Sequence, residues 1–246
     1  MIAPPTEDVV EWGYWPAMQR AGLVPQHIRH PDALDGSKVV TVSCTQTELP
    51  ASQQRKLVHQ WCEILPSLEI TTLVFSSRVN QALFDAAMRI RGLRALFVKW
   101  GGLTSLESCN GHPSLSSLYI GSAPSLTGLE HLQAIPHLRH LFINDVRASS
   151  TLDYLEGMTQ LEEFGLSGQS LRLRVPTLQP LAALQRLETL WLVGIKVEAG
   201  ALQPLHNLTS LRSLRTNRDP VSADVLALRA ALPGLQYLRP VWGRPR

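Results

Sequence analysis

Little in this chain carries recognisable chemistry. It contains no G-x-S-x-G, no Walker phosphate loop, no G-x-G-x-x-G and no H-E-x-x-H, so the common signatures of esterases, nucleotide binders and zinc proteases are missing. No catalytic residue is assigned and no enzyme is expected, because sites rather than folds establish activity. Cysteine is scarce. Cys44, Cys62 and Cys109 are odd in number and irregularly spaced, which fits free thiols in a reducing compartment better than a disulfide framework or a zinc site. The opening MIAPPTEDVVEW has no basic segment followed by an apolar run, hence no secretory signal is expected. No apolar stretch is long enough to cross a bilayer. These absences together lead us to expect a cytoplasmic protein with no membrane contact. Asn207-Leu208-Thr209 matches a glycosylation acceptor, which without a signal peptide is read as coincidence.

Charge is equally sparing. The net charge of +3, with no long basic run, gives no footprint for nucleic acid. Arginine dominates the cations, lysine occurring only at 38, 56, 99 and 196, as in GC-rich bacterial coding sequences. Aromatic residues make up 6% of the chain, so several of them at one structural position would be informative. What is plentiful is aliphatic: 44% of residues are hydrophobic against 17% charged, a balance suited to a folded core.

The aliphatic residues recur. Leu115, Leu118 and Ile120 have the spacing L-x-x-L-x-L, and Leu138, Leu141 and Ile143 repeat it. The same pattern occurs at Ile70/Leu73/Phe75, Leu93/Leu96/Val98, Leu161/Phe164/Leu166, Leu187/Leu190/Leu192 and Leu211/Leu214/Thr216, with a degenerate copy at Leu235/Leu238/Pro240. First positions at 70, 93, 115, 138, 161, 187, 211 and 235 step by 23, 22, 23, 23, 26, 24 and 24. In an extended segment alternate side chains share a face, so the last two apolar residues of each copy point the same way. Stacked copies then make a parallel sheet with one continuous core, which no single copy could bury. Between copies apolar residues fall every third position, as at Leu126, Leu129, Leu132 and Ile135, a spacing suited to 3₁₀ turns.

From Ile70 onward the chain resembles the leucine-rich repeat proteins, whose repeats run roughly 20–29 residues. Within them it is similar to the short-repeat class of bacterial internalins and of a regulatory subunit of protein phosphatase. Leu178, Leu181, Leu184, Leu187, Leu190 and Leu192 follow that class well, as do Leu202, Leu205, Leu208, Leu211 and Leu214. The resemblance implies an α/β fold: a curved, right-handed solenoid with a parallel sheet on the concave face and short helices and 3₁₀ turns on the convex face. One departure is that the asparagine expected three residues past each signature is replaced by Arg78, Gly101, Ala123, Val146, Gln169, Ile195 and Asp219. Without that ladder a less regular array is expected.

Residues 1–36 carry no signature but hold Val9, Val10, Trp12, Tyr14, Trp15, Met18 and Leu23, and read as an N-terminal cap for the open end of the core. The array is assigned to 37–232 and a C-terminal cap, with Trp242, to 233–246. Lys38–Ser43 alternates like a first strand. Ala51–Leu65, stopped before Pro66, and Gln81–Arg91 read as helices, so the early crossovers should be helical and the middle ones shorter. Ser167–Pro176 holds the extra residues of the longest repeat and is expected to bulge as a surface loop.

The residue between the two inward positions of each copy must face out onto the concave side. That column reads Val74, Phe97, Tyr119, Phe142, Gly165, Trp191, Arg215, Arg239. Two residues earlier stand Thr72, Ala95, Ser117, His140, Glu163, Thr189, Ser213 and Tyr237, and Lys99, Trp100 and Arg218 lie just beyond the strands. Stacked aromatics suit strands by propensity, but an aromatic patch with arginine on a solenoid's concave face is also the composition of an interface. The expected site is therefore a protein-binding stripe of Phe97, Trp100, Tyr119, His140, Phe142, Glu163, Gly165, Trp191, Arg215 and Arg239, its aromatics exposed, with an open dent at Gly165. The partner should supply an apolar protrusion, and acid near Arg215, Arg218 and Arg239. An immunity, adaptor or effector role fits this reading; a carbohydrate or small-ligand receptor and an architectural spacer are the rivals. His131, His137 and His140 do not converge in this register, so no metal or other cofactor is assigned.

Overall fold

A computed structural model describes residues 27–168, 173–197 and 202–238. Its strands are β1 (Val39–Val42), β2 (Thr72–Phe75), β3 (Val79–Asn80), β4 (Ala95–Gly102), β5 (Ser117–Ser122) and β6 (His140–Asn144). They continue with β7 (Glu163–Ser167), β8 (Arg174–Val175), β9 (Thr189–Val193), β10 (Lys196–Val197), β11 (Ser213–Thr216) and β12 (Gln236–Leu238). The main sheet runs β1-β2-β4-β5-β6-β7-β9-β11-β12, with β3 beside the end of β4. Every neighbouring pair is parallel.

The register is the one the repeat spacing requires. Leu73, Leu96, Leu118, Leu141, Phe164, Leu190 and Leu214 lie side by side on successive strands. None is more than 2% exposed. Burying one such side chain contributes about 1.5–3 kcal/mol, and the row merges with the leucines of the crossovers into one core. Before each strand the backbone closes a regular stair: Arg94, Ser116, Arg139, Glu162, Glu188 and Arg212 each donate N–H to the carbonyl of the corresponding residue one repeat earlier, at 2.8–2.9 Å.

The crossovers change character along the chain, as expected. The first is helix α1 (Ala51–Ile64), which buries Leu57 and Trp61; the Trp61 indole N–H reaches the Arg29 carbonyl at 2.7 Å. The second, α2 (Gln81–Ala87), is capped by Asn80, whose Oδ1 accepts from the Leu83 N–H at 2.9 Å. It ends short of Arg91, because Arg89, Ile90 and Leu93 donate to carbonyls three residues back and tighten the chain toward β4. Later crossovers are 3₁₀ turns, including Leu129–Ala134, Gln179–Ala183 and Gln203–Leu205. The last repeat returns to a helix the spacing did not announce, α3 (Ala223–Ala231), which buries Val225 and Leu228.

In place of an asparagine ladder, single side chains satisfy the far turns locally. Gln81 Oε1 accepts from the Thr104 and Ser105 N–H groups at 2.9 and 3.2 Å, and Asn217 Oδ1 accepts from the Gly194 N–H. The Ser167–Pro176 stretch is not simply a bulge. Its residues 169–172 lie outside the described ones, but Leu173 and Val175 are buried and β8 pairs with β10 of the following repeat. The degenerate final copy is one residue out of the expected register: Tyr237, not Leu238, pairs with Leu214, and Leu238, not Arg239, pairs with Arg215.

Candidate functional site on the outward face of the sheet

Alternation along each strand puts Thr41, Val74, Phe97, Tyr119, Phe142, Gly165, Trp191 and Arg215 in one row on the face away from the core. The aromatic members form a ladder. Phe97 and Tyr119 stack with centroids 4.1 Å apart and planes 10° apart, and Tyr119 meets Phe142 at 6.2 Å and 24°. Phe142 then reaches Trp191 edge-on at 5.7 Å and 76°. The Arg215 guanidinium lies 4.6 Å from the centre of the Trp191 ring. Aromatic contacts of this kind contribute about 0.5–1.5 kcal/mol each, and a cation over an indole is worth about as much again, more where water is excluded.

Two expectations about this row are corrected. The first is the dent at Gly165: a Cβ there would lie 2.1 Å from Phe142 Cδ1. Phe142 leans into the gap, and that tilt lets its ring reach Trp191 two strands away. The second is exposure: Phe97 is 8% exposed, Trp191 9% and Arg215 5%, while Tyr119 and Phe142 are half-buried. Arg239 lies outside the described residues, and Arg218 is committed to the fold. Its guanidinium pairs with Asp224 and donates to the Val197 carbonyl.

The flanking row is polar. His140 Nδ1 and Ser117 Oγ hydrogen-bond at 2.8 Å, and His140 Nε2 is 3.8 Å from Glu162 Oε2. Burial pulls the His140 imidazole below its usual range, outweighing the attraction of Glu162. On the next strand Glu163 is pushed up, first by burial and then by the like charges of Glu162 and Glu188. Trp100, at the end of β4, donates its indole N–H to Gln46 Oε1, and the Lys99 ammonium sits 4.3 Å from its ring centre. It belongs to the strand-end margin rather than to the ladder.

Strand positions past the ladder add a feature the sequence reading did not assemble. Asn144 pairs with Ser167 across β6 and β7. Asn144 Oδ1, Ser167 Oγ and the Trp191 indole N–H are all buried without a hydrogen-bond partner. Leaving such a group unsatisfied costs about 1–3 kcal/mol. The signal was the same alternation carried two residues further along each strand. Two of the three thiols are buried, and burial pushes Cys44 up to about 12 and raises Cys109 by the same cause.

No family model matches the sequence, and no curated protein sequence matches it. Solved structures do. Internalin C2 from Listeria monocytogenes superposes with a TM-score of 0.49 at 17% identity, over 68% of this chain and 70% of that one. The internalin inlF from the same organism gives a TM-score of 0.54 at 14% identity, over 83% of this chain but only 61% of its own. At such identities a likeness speaks for the fold. With the repeat register above, the similarity to inlF shows that this chain has the fold of a leucine-rich repeat solenoid.

Proposed function

We propose that this protein is a non-enzymatic interaction module that binds a protein partner on the concave face of its sheet, through Tyr119, Phe142, Trp191 and Arg215. The observation that carries the reading is the ladder itself: rings in mutual contact across successive strands, closed by a cation, on the face solenoids use for binding. Tryptophan, tyrosine and arginine are the residues that dominate binding energy at interfaces. The test is calorimetric titration of a co-purifying protein against the parent chain and Phe142→Ala, with hydrogen exchange of the complex. Binding should weaken by about 2 kcal/mol or more, and protection should run over several consecutive strands. Unchanged binding would refute the reading, and protection limited to one or two strands would mark a small ligand such as a sugar instead.

A further inference from the structure

Away from the ladder, the end of β4 holds an aromatic ring beside two cations. The Lys99 ammonium lies 4.3 Å from the centre of the half-buried Trp100 ring. Two residues further along the strand Gly102 is exposed, and a Cβ there would stand 3.5 Å from Arg78 Nη2. The guanidinium therefore lies over bare backbone. Gln46 fixes the arrangement: its Oε1 accepts from the Trp100 indole N–H and, at 2.9 Å, from the Arg78 backbone N–H. Ring and arginine are thus held to one atom. Gln46 has a left-handed φ of 54°, uncommon for a residue other than glycine and sustained only where the surroundings impose it. Here α1 imposes it. Gln54 Oε1 accepts from the Gln46 N–H at 2.9 Å, while Gln54 Nε2 donates to the Thr47 and Leu49 carbonyls at 3.2 and 2.7 Å.

The two cations have no acid against them. The ion pairs among the described residues lie elsewhere, and Glu48, the acidic side chain of the adjoining loop 45–50, pairs with neither Arg78 nor Lys99. A guanidinium and an ammonium supply charged donors for carboxylates, and an indole held between them supplies apolar contact area. The basic surface is also short. On the next two strands the corresponding stretches read Gly121-Ser122 and Asn144-Asp145, with no cation. Nucleic acid binds through cations spread along its phosphates, whereas two cations match a few carboxylates. We propose that Arg78, Lys99 and Trp100 form a second contact site, separate from the ladder, that binds a short acidic segment of a partner protein. Its carboxylates meet the two cations, and an apolar neighbour packs on the Trp100 indole. The proposal goes beyond the ladder reading and stands without it.

The test uses the full chain labelled with nitrogen-15. The probe is an acetylated hexapeptide alternating glutamate and phenylalanine, with a lysine–phenylalanine hexapeptide as control. Two-dimensional spectra follow the Trp100 indole N–H, identified as the peak missing from Trp100→Phe. The acidic peptide should shift that peak saturably, with a dissociation constant below about 1 mM at low salt, and the basic peptide should not. Arg78→Gln and Lys99→Gln should each weaken binding about twofold to fivefold, the scale of one exposed charge pair. Replacing Arg174 and Lys196 by glutamine removes two other exposed cations, paired across β8 and β10, and should leave the titration as it was. An indole peak that does not move, or an equal loss on neutralising positions 174 and 196, would overturn the proposal. Loss of the shift in Phe142→Ala would place the peptide on the ladder and overturn it too, whereas a shift that persists there separates this site from the ladder. Tighter binding of a uridine hexanucleotide at the same peak would make the site one for nucleic acid, which is equally a refutation.

Discussion

Phe142 occupies the space that a side chain on Gly165 would need: its Cδ1 lies 2.1 Å from where a Cβ would stand. The glycine on β7 is therefore a condition of the contact between Phe142 on β6 and Trp191 on β9. Gly165→Ala should push the Phe142 ring aside, break the ladder at its centre and cost about 1–3 kcal/mol as an overpacking change. Gly165→Leu should cost more. Thermal melts with near-ultraviolet circular dichroism would show both effects, and an alanine variant with parental stability and parental aromatic signal would mean that the ring is not held there.

The inward row makes a separate demand. Leu141 is fully buried at the middle of the sheet, so Leu141→Ala should cost about 2–5 kcal/mol by lost burial and a residual cavity. Urea denaturation measures this, and a loss below about 0.5 kcal/mol would contradict the register.

Trp191 and Arg215 should be energetically coupled. The guanidinium lies over the indole, and both side chains are largely withdrawn from water. A double-mutant cycle with Trp191→Ala and Arg215→Ala should give a coupling of about 0.5–2 kcal/mol in stability. Strict additivity would reduce the contact to mere proximity. Because Trp191 is only 9% exposed, its alanine variant should also lose stability.

His112 should make the fold sensitive to acid. It is buried; Nδ1 accepts from the Leu115 N–H at 3.1 Å, so Nε2 carries the proton and donates to the Ile90 carbonyl at 3.2 Å. Burial lowers its pKa below 6.5, partly offset by the bond to Ile90. The unfolded chain therefore binds more protons in that range, and stability rises with pH. The contribution is fully present above the unfolded value and is lost as pH falls through the depressed folded value. His140 is shifted the same way. Urea midpoints measured from about pH 7 to about pH 5 should fall for the parent and fall less for His112→Gln; parallel curves would count against the assignment.

Glu163 should behave in the opposite sense. Its carboxyl is raised by burial and by Glu162 and Glu188, so its favourable contribution is present below the unfolded value near 4.5 and is lost as pH rises through the folded one. Glu163→Gln should raise the melting temperature at neutral pH and have little effect near pH 4. A variant less stable than the parent at neutral pH would show that the ionised carboxylate is instead held by favourable partners.

Repeat spacing in the sequence by itself determined the solenoid, the strand register and the identity of both rows, because parallel stacking aligns equivalent positions and alternation assigns each to a face. It failed at the last copy, where Leu235 keeps the spacing but Tyr237 takes the rung of Leu214; one weak signature cannot set its own register. It also missed α3, whose length depends on what it packs against rather than on leucine spacing. What only the tertiary structure decided was how side chains on neighbouring strands use shared space. A linear pattern shows glycine as a gap, whereas in three dimensions a neighbour with room to tilt fills it, as Phe142 does over Gly165. Burial of Phe97 and Arg215 on the outward face was likewise invisible in the spacing, because alternation says which face a residue is on but not how closely its neighbours pack around it.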